Sequence, residues 1–369
     1  ENRQIEKEEL LLRLLPILLS SSYFENTLIL INNALDDSEN EIILFSAVTS
    51  ILLQSDTKIK NRIVQIESFF KSRLEKAKKL KNKNRIATSH YNLGNFYRNK
   101  NRYRESIHHY VQAKKHDSNY LNRSYFYKEI AGICFVIGKF KLSAKNYKKS
   151  IELGEPKETK SLLADALMFS GKYQKAYKIY NEYIAEADKI DNEFLLKAEL
   201  LYNRVENKKI KVQKRLKEKA YEIASNNPTF KNIESTLEKD LLCPLAWFNL
   251  GILHKEKSEF EDATYCFAMC ACINLWDIQA WTFAFLSFLN SKKKDNCLIG
   301  SLILSTAYDQ NGDEFLMNLY GILEQNGGQN TDIIEMIDYI LTKNNGKRVK
   351  SATLRILDEL DFKKIKIFN

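Results

Sequence analysis

Cysteine and histidine are the residue types here best suited to metal or nucleophile chemistry, and the chain of 369 residues holds six and five of them. The cysteines are Cys134, Cys243, Cys266, Cys270, Cys272 and Cys297. None forms a Cys-x-x-Cys pair, and several lie within apolar runs of helical spacing. They read as reduced, buried small residues of a cytosolic protein. Cys266 and Cys270 fall on one helix face, with His254 on the helix before. A metal would need ligands converging at about 2–2.3 Å, and Cys270 occupies a position that packing alone explains, so no metal is expected. His108, His109 and His116 read as surface residues, neither ligands nor bases. Asp36 with Asp37, and Asp358 with Asp361, sit at helix ends and read as caps or turn residues. A Gly-rich phosphate loop, a Gly-x-Ser-x-Gly turn and a His-Glu-x-x-His helix are absent from the sequence. The residues therefore predict no catalysis and no cofactor.

The sharpest charge feature is Lys208 to Lys219, with seven positive residues and one acid. On a helix, Val212, Leu216 and Ala220 would pack inward while Lys208, Lys211, Lys214, Arg215 and Lys217 reached phosphates. Lysine dominates and no aromatic is interleaved, so such a contact would be to backbone and would not read bases. The competing reading is a solvated face that keeps a helical array soluble. A second basic run holds Lys71, Arg73, Lys76, Lys78, Lys79, Lys81, Lys83 and Arg85. The net charge of +10 admits nucleic acid, anionic lipid or an acidic protein as partner and selects none of them.

The elements that must position these residues are helices. With 12 glycines and 4 prolines and abundant Lys, Leu, Ile, Glu and Asn, the composition favours helix over sheet. No apolar run reaches the roughly 18 residues a membrane span needs; Leu10 to Ser20 is interrupted by Arg13 and Pro16. The chain begins at Glu1 and shows no signal-peptide pattern, which fits a piece of a longer cytoplasmic protein. Apolar spacing predicts helices over Ile5–Leu19, as one Leu-rich helix or as two pieces meeting at Pro16, then Asn26–Leu35, about Asn40 to Leu53, and Lys58–Leu80.

From Ala87 a pattern emerges. His90-Tyr91-Asn92-Leu93-Gly94 is followed by a polar turn at Asn99-Lys100-Asn101, then Tyr103, Ser106, Tyr110 and Ala113. From Ser124 the same slots hold Ala131, Gly138-Lys139-Phe140, Ser143, Tyr147 and Ser150. From Lys157 they hold Ala164, Gly171-Lys172-Tyr173, Ala176 and Tyr180, with Tyr183 where a small residue is expected. Trp247-Phe248-Asn249-Leu250-Gly251 restarts the pattern at Pro244, with Phe260, Ala263, Phe267 and Cys270. A weaker unit opens near Trp281 and puts Phe285 where glycine belongs, which predicts a wider crossing. Two helices come close only where a side chain is nearly absent, and an aromatic fills the space beside the contact.

This pattern resembles the tetratricopeptide repeat, a helix–turn–helix unit of about 34 residues. The resemblance implies an all-α, right-handed superhelical solenoid of antiparallel helix pairs, with a concave groove lined by first helices that holds an extended peptide or a partner's helix. Carried over by position, the groove shows Tyr91, Asn95 and Arg98, then Lys128, Gly132 and Phe135, then Ser161, Asp165 and Met168, then Phe248, Ile252 and Lys255. Some relatives clamp a chaperone's terminal carboxylate with Lys, Asn and Arg; Asn95 and Lys128 fit that loosely, while Glu129 and Asp165 oppose it. The expected organisation is divergent helical repeats over 1–83, clear repeats over 84–190, irregular helices with the basic run over 191–243, repeats over 244–310 and a helical cap over 311–369. The expected function is a non-catalytic scaffold or adaptor for protein–protein interaction, one region of a larger bacterial-type protein or assembly. The alternative is a sensor or nucleic-acid-backbone-contacting regulatory region attached to an effector enzyme. The oligomeric state is open.

Overall fold

The computed structural model describes residues 2–54, 62–187, 190–202, 217–226, 228–291, 297–325 and 337–338. Every regular element among them is helical. They form two compact units, Glu1–Ile133 and Cys134–Asn369.

The first unit begins with α1 (Asn2–Ser20), α2 (Phe24–Asp37), α3 (Glu41–Gln54) and α4 (Ile63–Lys79). Pro16 lies inside α1, so of the two readings the single helix is the one observed. Leu15, Leu19, Ile31, Leu35, Phe45 and Phe70 fill a shared core. Phe45, Phe69 and Phe70 meet at 5.5–6.2 Å between ring centroids. The second basic run is largely consumed by ion pairs here. Lys71 pairs with Glu67 at 2.8 Å and Lys78 with Glu75 at 2.8 Å, while Lys76 pairs with Asp36. Arg85 reaches Glu41 at 2.6 Å. Arg73 is buried between Asp36 and Glu41, so it is a core cation and not part of a solvated face.

α5 (Lys83–Asn99) and α6 (Tyr103–His116) follow, then a 3-10 turn over Ser118–Asn122 and α7 (Ser124–Val136). Asn82 starts α5 by accepting from the Arg85 amide, which satisfies one of the donors a helix start leaves open. Gly94 is where α5 and α6 press together. A Cβ placed there would meet the Tyr110 ring at 2.5 Å. Ser106 donates to the Gly94 carbonyl at 2.7 Å from the facing helix.

The second unit runs through α8 (Phe140–Glu152), α9 (Thr159–Met168), α10 (Tyr173–Glu186), α11 (Asn192–Tyr202), α12 (Lys217–Asn226), α13 (Phe230–Lys239), α14 (Pro244–Glu256), α15 (Phe260–Ile273), α16 (Ile278–Ser291) and α17 (Cys297–Gln325). Helix α17 is broken at Gly312, whose φ of 55° and ψ of −139° are not helical. The polar turns end in left-handed residues: Gly138, Gly171 and Ser258 here, and Asn101 in the first unit. Each is followed by an amide bonded five residues back, Lys139 to Cys134, Lys172 to Leu167, Glu259 to His254 and Arg102 to Tyr97, at 2.7–2.9 Å. This is the turn that closes a helix on itself and releases the chain backwards.

Repetition is visible atom by atom within the second unit. The Trp247 indole donates to the Leu241 carbonyl at 2.9 Å, and the Trp281 indole donates to the Leu275 carbonyl at 3.0 Å. Gly251 gives way to Phe267 as Gly94 does to Tyr110. Tyr183 is buried edge-on to Phe194 at 5.5 Å, so the large residue in the small slot is absorbed by α11. Phe285 is fully buried; near it, at Phe288, the two helices come close. A Cβ on Gly300 of α17 would meet the Phe288 ring of α16 at 2.2 Å. The vacancy comes from the opposite helix.

The five cysteines whose side chains are described are buried thiols. Burial pushes the Cys272 thiol up to about 12, so it stays protonated and inert. No described helix is long and apolar enough to cross a membrane.

Candidate functional site

The candidate positions fall into two groups, one in each unit. In the first, Tyr91 on α5 is half-buried against Tyr110, Tyr120 and Tyr125, with centroids 5.3–5.5 Å away. Burial, with Glu129 nearby, raises its hydroxyl pKa far above the ordinary tyrosine value. Asn95, one turn on, accepts from the Tyr110 hydroxyl at 2.6 Å. Arg98, another turn on, is ion-paired to Glu129 of α7. Lys128 is half-buried beside Glu129. One strip of α5 and α7 thus carries an aromatic, an amide and a compensated charge pair.

In the second unit, Phe248, Ile252 and Lys255 occupy successive turns of α14 and all remain partly exposed. Phe248 meets Phe283 of α16 edge-on at 5.8 Å, and both pack on Phe267. The Lys255 ammonium lies 5.0 Å from the Phe283 ring centroid, and burial lowers its pKa. Phe283 was missed by the sequence reading: it lies two residues after Trp281 as Asn249 lies two after Trp247, so the repeat register does not mark it as a partner of Phe248.

Other expected positions sit differently. Met168 and Ser161 are buried, so they belong to packing and line no open face. Phe135 is half-buried against Phe140 and Phe169 at 5.3 and 5.8 Å. Asp165 is engaged within the unit: the Tyr180 hydroxyl donates to it, and Lys197 bonds it at 2.9 Å. Lys197 also pairs with Glu193 at 2.5 Å. Burial disfavours the Lys197 charge, but Asp165 and Glu193 outweigh it and raise its pKa. Lys208, Lys211, Lys214 and Arg215 lie outside the described residues, as does the side chain of Lys217.

The histidines depart most from expectation. His90 is buried on α5. His109 and His116 are half-buried, and only His108 is exposed. His90 Nδ1 and His109 Nδ1 are 2.8 Å apart, one donating and the other accepting. The signal was in the spacing: four of the five histidines fall between positions 90 and 116.

No curated protein matches this chain. Among solved structures, the TPR2AB-domain:pHSP90-complex of yeast Sti1 aligns over 70% of this chain and 98% of that chain, at 14% identity and a TM-score of 0.28. The fold reading rests on the helices themselves and not on that likeness. The family model described as Tetratricopeptide repeat matches residues 89–119. Those residues are the body of α5, its turn, α6 and the start of the 3-10 turn, so the chain carries a tetratricopeptide repeat there.

Proposed function

We propose that this chain is a non-catalytic scaffold that binds a protein partner through the faces of its first helices. The observation that carries it is the partly exposed pair Phe248 and Phe283 on α14 and α16, with Ile252 beside it and Lys255 over one ring. Aromatic anchors of this kind bury large apolar area at low entropy cost, and truncating such an anchor commonly weakens binding by ~2 kcal/mol or more. An apolar peptide side chain would pack on the exposed parts of the two rings, and a peptide carboxylate would meet Lys255. In the first unit, Tyr91, Asn95, Arg98 and Lys128 form the corresponding strip. A concave groove joining first helices, and a place within a larger bacterial-type assembly, belong to the same proposal.

Selecting peptides from a random library on the full chain tests this reading. Ligands should be recovered whose affinity falls at least tenfold in both Phe248→Ala and Phe283→Ala. Ligands that bind these variants as tightly as the parent chain would remove the α14–α16 face from the proposal.

A further inference from the structure

Helices α2 and α4 of the first unit are tied together at both ends. At one end the Arg62 guanidinium lies 4.4 Å from the centre of the Phe24 ring and donates to the Leu19 and Ser21 carbonyls. At the other end Asp36 is paired with Arg73 and Lys76. Between these ties the helices leave a groove of about 510 Å3. Counting back from α5, which opens the matched repeat, α2 and α4 hold second-helix positions. The groove is therefore not the first-helix face proposed above.

Its floor is Leu28 and Phe69, both buried, and its rims are Ile29 and Val64, 58% and 76% exposed. Four polar side chains also line it: Glu25, Asn32, Gln65 and Ser68. Among the described residues, none of the four makes a hydrogen bond or ion pair through its side chain. The Gln65 Oε1 atom is nonetheless buried, and a buried acceptor stays unfavourable until a donor reaches it. Glu25 is the one ionisable group among the described lining residues, so the groove favours a cation. We propose that the α2–α4 groove binds an extended peptide segment of a partner protein, one that carries a lysine or arginine two residues from an aliphatic residue.

The unspent polar groups favour an extended occupant. A helix keeps its own peptide groups bonded and would leave Asn32, Gln65 and Ser68 unanswered. An extended chain offers N–H groups to Gln65 Oε1 and C=O groups to the Asn32 amide and the Ser68 hydroxyl. From Val64 to Ser72, α4 rises ~12 Å, room for ~3–4 extended residues. Spacing sets the motif. Glu25 and Ile29 are four residues apart on α2, ~6 Å along its axis. Side chains two apart in an extended chain share a face and lie ~6.6 Å apart. The cation thus meets Glu25 while the aliphatic side chain packs on Ile29 and Leu28.

Linear hexapeptides are selected from a random library on the full chain and measured again, by fluorescence anisotropy, on three variants. Val64→Asp and Glu25→Lys change exposed side chains, so the fold survives them. Gln65→Leu keeps the volume and removes the unpaired oxygen. Peptides that lose at least fivefold in affinity on Val64→Asp mark the groove. They should carry the basic and aliphatic residues two apart, and should lose at least fivefold on Glu25→Lys and on Gln65→Leu. The urea midpoint of Gln65→Leu should be no lower than that of the parent chain, so its loss of binding is not a loss of fold. Glutamate in place of the basic residue in the peptide should restore binding to Glu25→Lys. The proposal is overturned if no selected peptide responds to Val64→Asp. It is overturned equally if the responders ignore Glu25→Lys or Gln65→Leu, or place the two residues three or four apart, the spacing of a helical ligand.

Discussion

The His90–His109 contact makes the first repeat sensitive to acid. Burial is the main cause, aided by neighbouring positive charge, that pushes His90 down to about 3 and His109 to about 4. Lys78 and Lys71 face the pair from α4, and His108, His116 and Glu105 from α6. An unfolded histidine titrates near ~6.5. Between that value and the folded ones the unfolded chain takes up protons that the folded pair refuses, so stability is whole above neutral pH and declines as pH falls. The urea midpoint should drop between pH 7 and pH 5. His109→Gln should flatten that slope, and a slope unchanged in the variant would locate the acid sensitivity elsewhere. Lys197 is the second residue of this kind. It is 3% exposed, and its ammonium is held by Asp165 and Glu193. Lys197→Ala leaves both acids facing a cavity and should cost ~3–5 kcal/mol, read as a lower urea midpoint. Adding Asp165→Asn should recover part of that loss.

At the scale of the helix pair, close approach depends on which glycine faces which ring. Gly94→Ala drives a methyl group into Tyr110 and strains the bond from that tyrosine to Asn95. It should lower stability by ~1–3 kcal/mol in thermal unfolding. Gly321→Ala is the informative contrast. Gly321 also lies in a helix, but a Cβ there meets nothing within 4 Å, so alanine should stabilise by up to ~1 kcal/mol through helix propensity alone. Equal losses at the two sites would refute the packing account of Gly94. These pairs were legible in the sequence because Gly94 with Tyr110, and Gly251 with Phe267, keep one spacing. The turns were legible for the same reason, as Gly138 and Gly171 mark left-handed residues, although Asn101 and Ser258 do the same work less visibly. Whether Pro16 divides α1 was not legible; it removes only one hydrogen bond, and Leu15 and Leu19, both fully buried, hold the helix across it.

Over the whole molecule, packing is uneven. Ten of the 14 residues of α15 and nine of the 14 of α16 are buried, whereas α1 shows Leu10, Leu14 and Ile17 to solvent at 57%, 41% and 68%. Opening free energy follows local burial, so amide exchange should be slowest in α15 and α16 and much faster in α1. A uniform rate across these helices would contradict that gradient. Among the described residues, the helical class was readable from composition and spacing. The division into two units was not, since it falls within α7, where no run of breakers or charge marks it. The candidate faces were readable only as register. Spacing says which slot a residue holds, but burial of Met168, capture of Asp165 by Lys197 and pairing of His90 with His109 depend on neighbours far along the chain.

Gly300 has a bearing on how such an array drifts over generations. Room for the Phe288 ring is carved from the later helix, whereas at Gly94 and Gly251 it is carved from the earlier one. Either wall of a joint can therefore be hollowed. A lineage can trade the hollow from one side to the other through a pair of compensating changes while the joint stays shut. Units that no longer spell the motif can go on being built to the same plan.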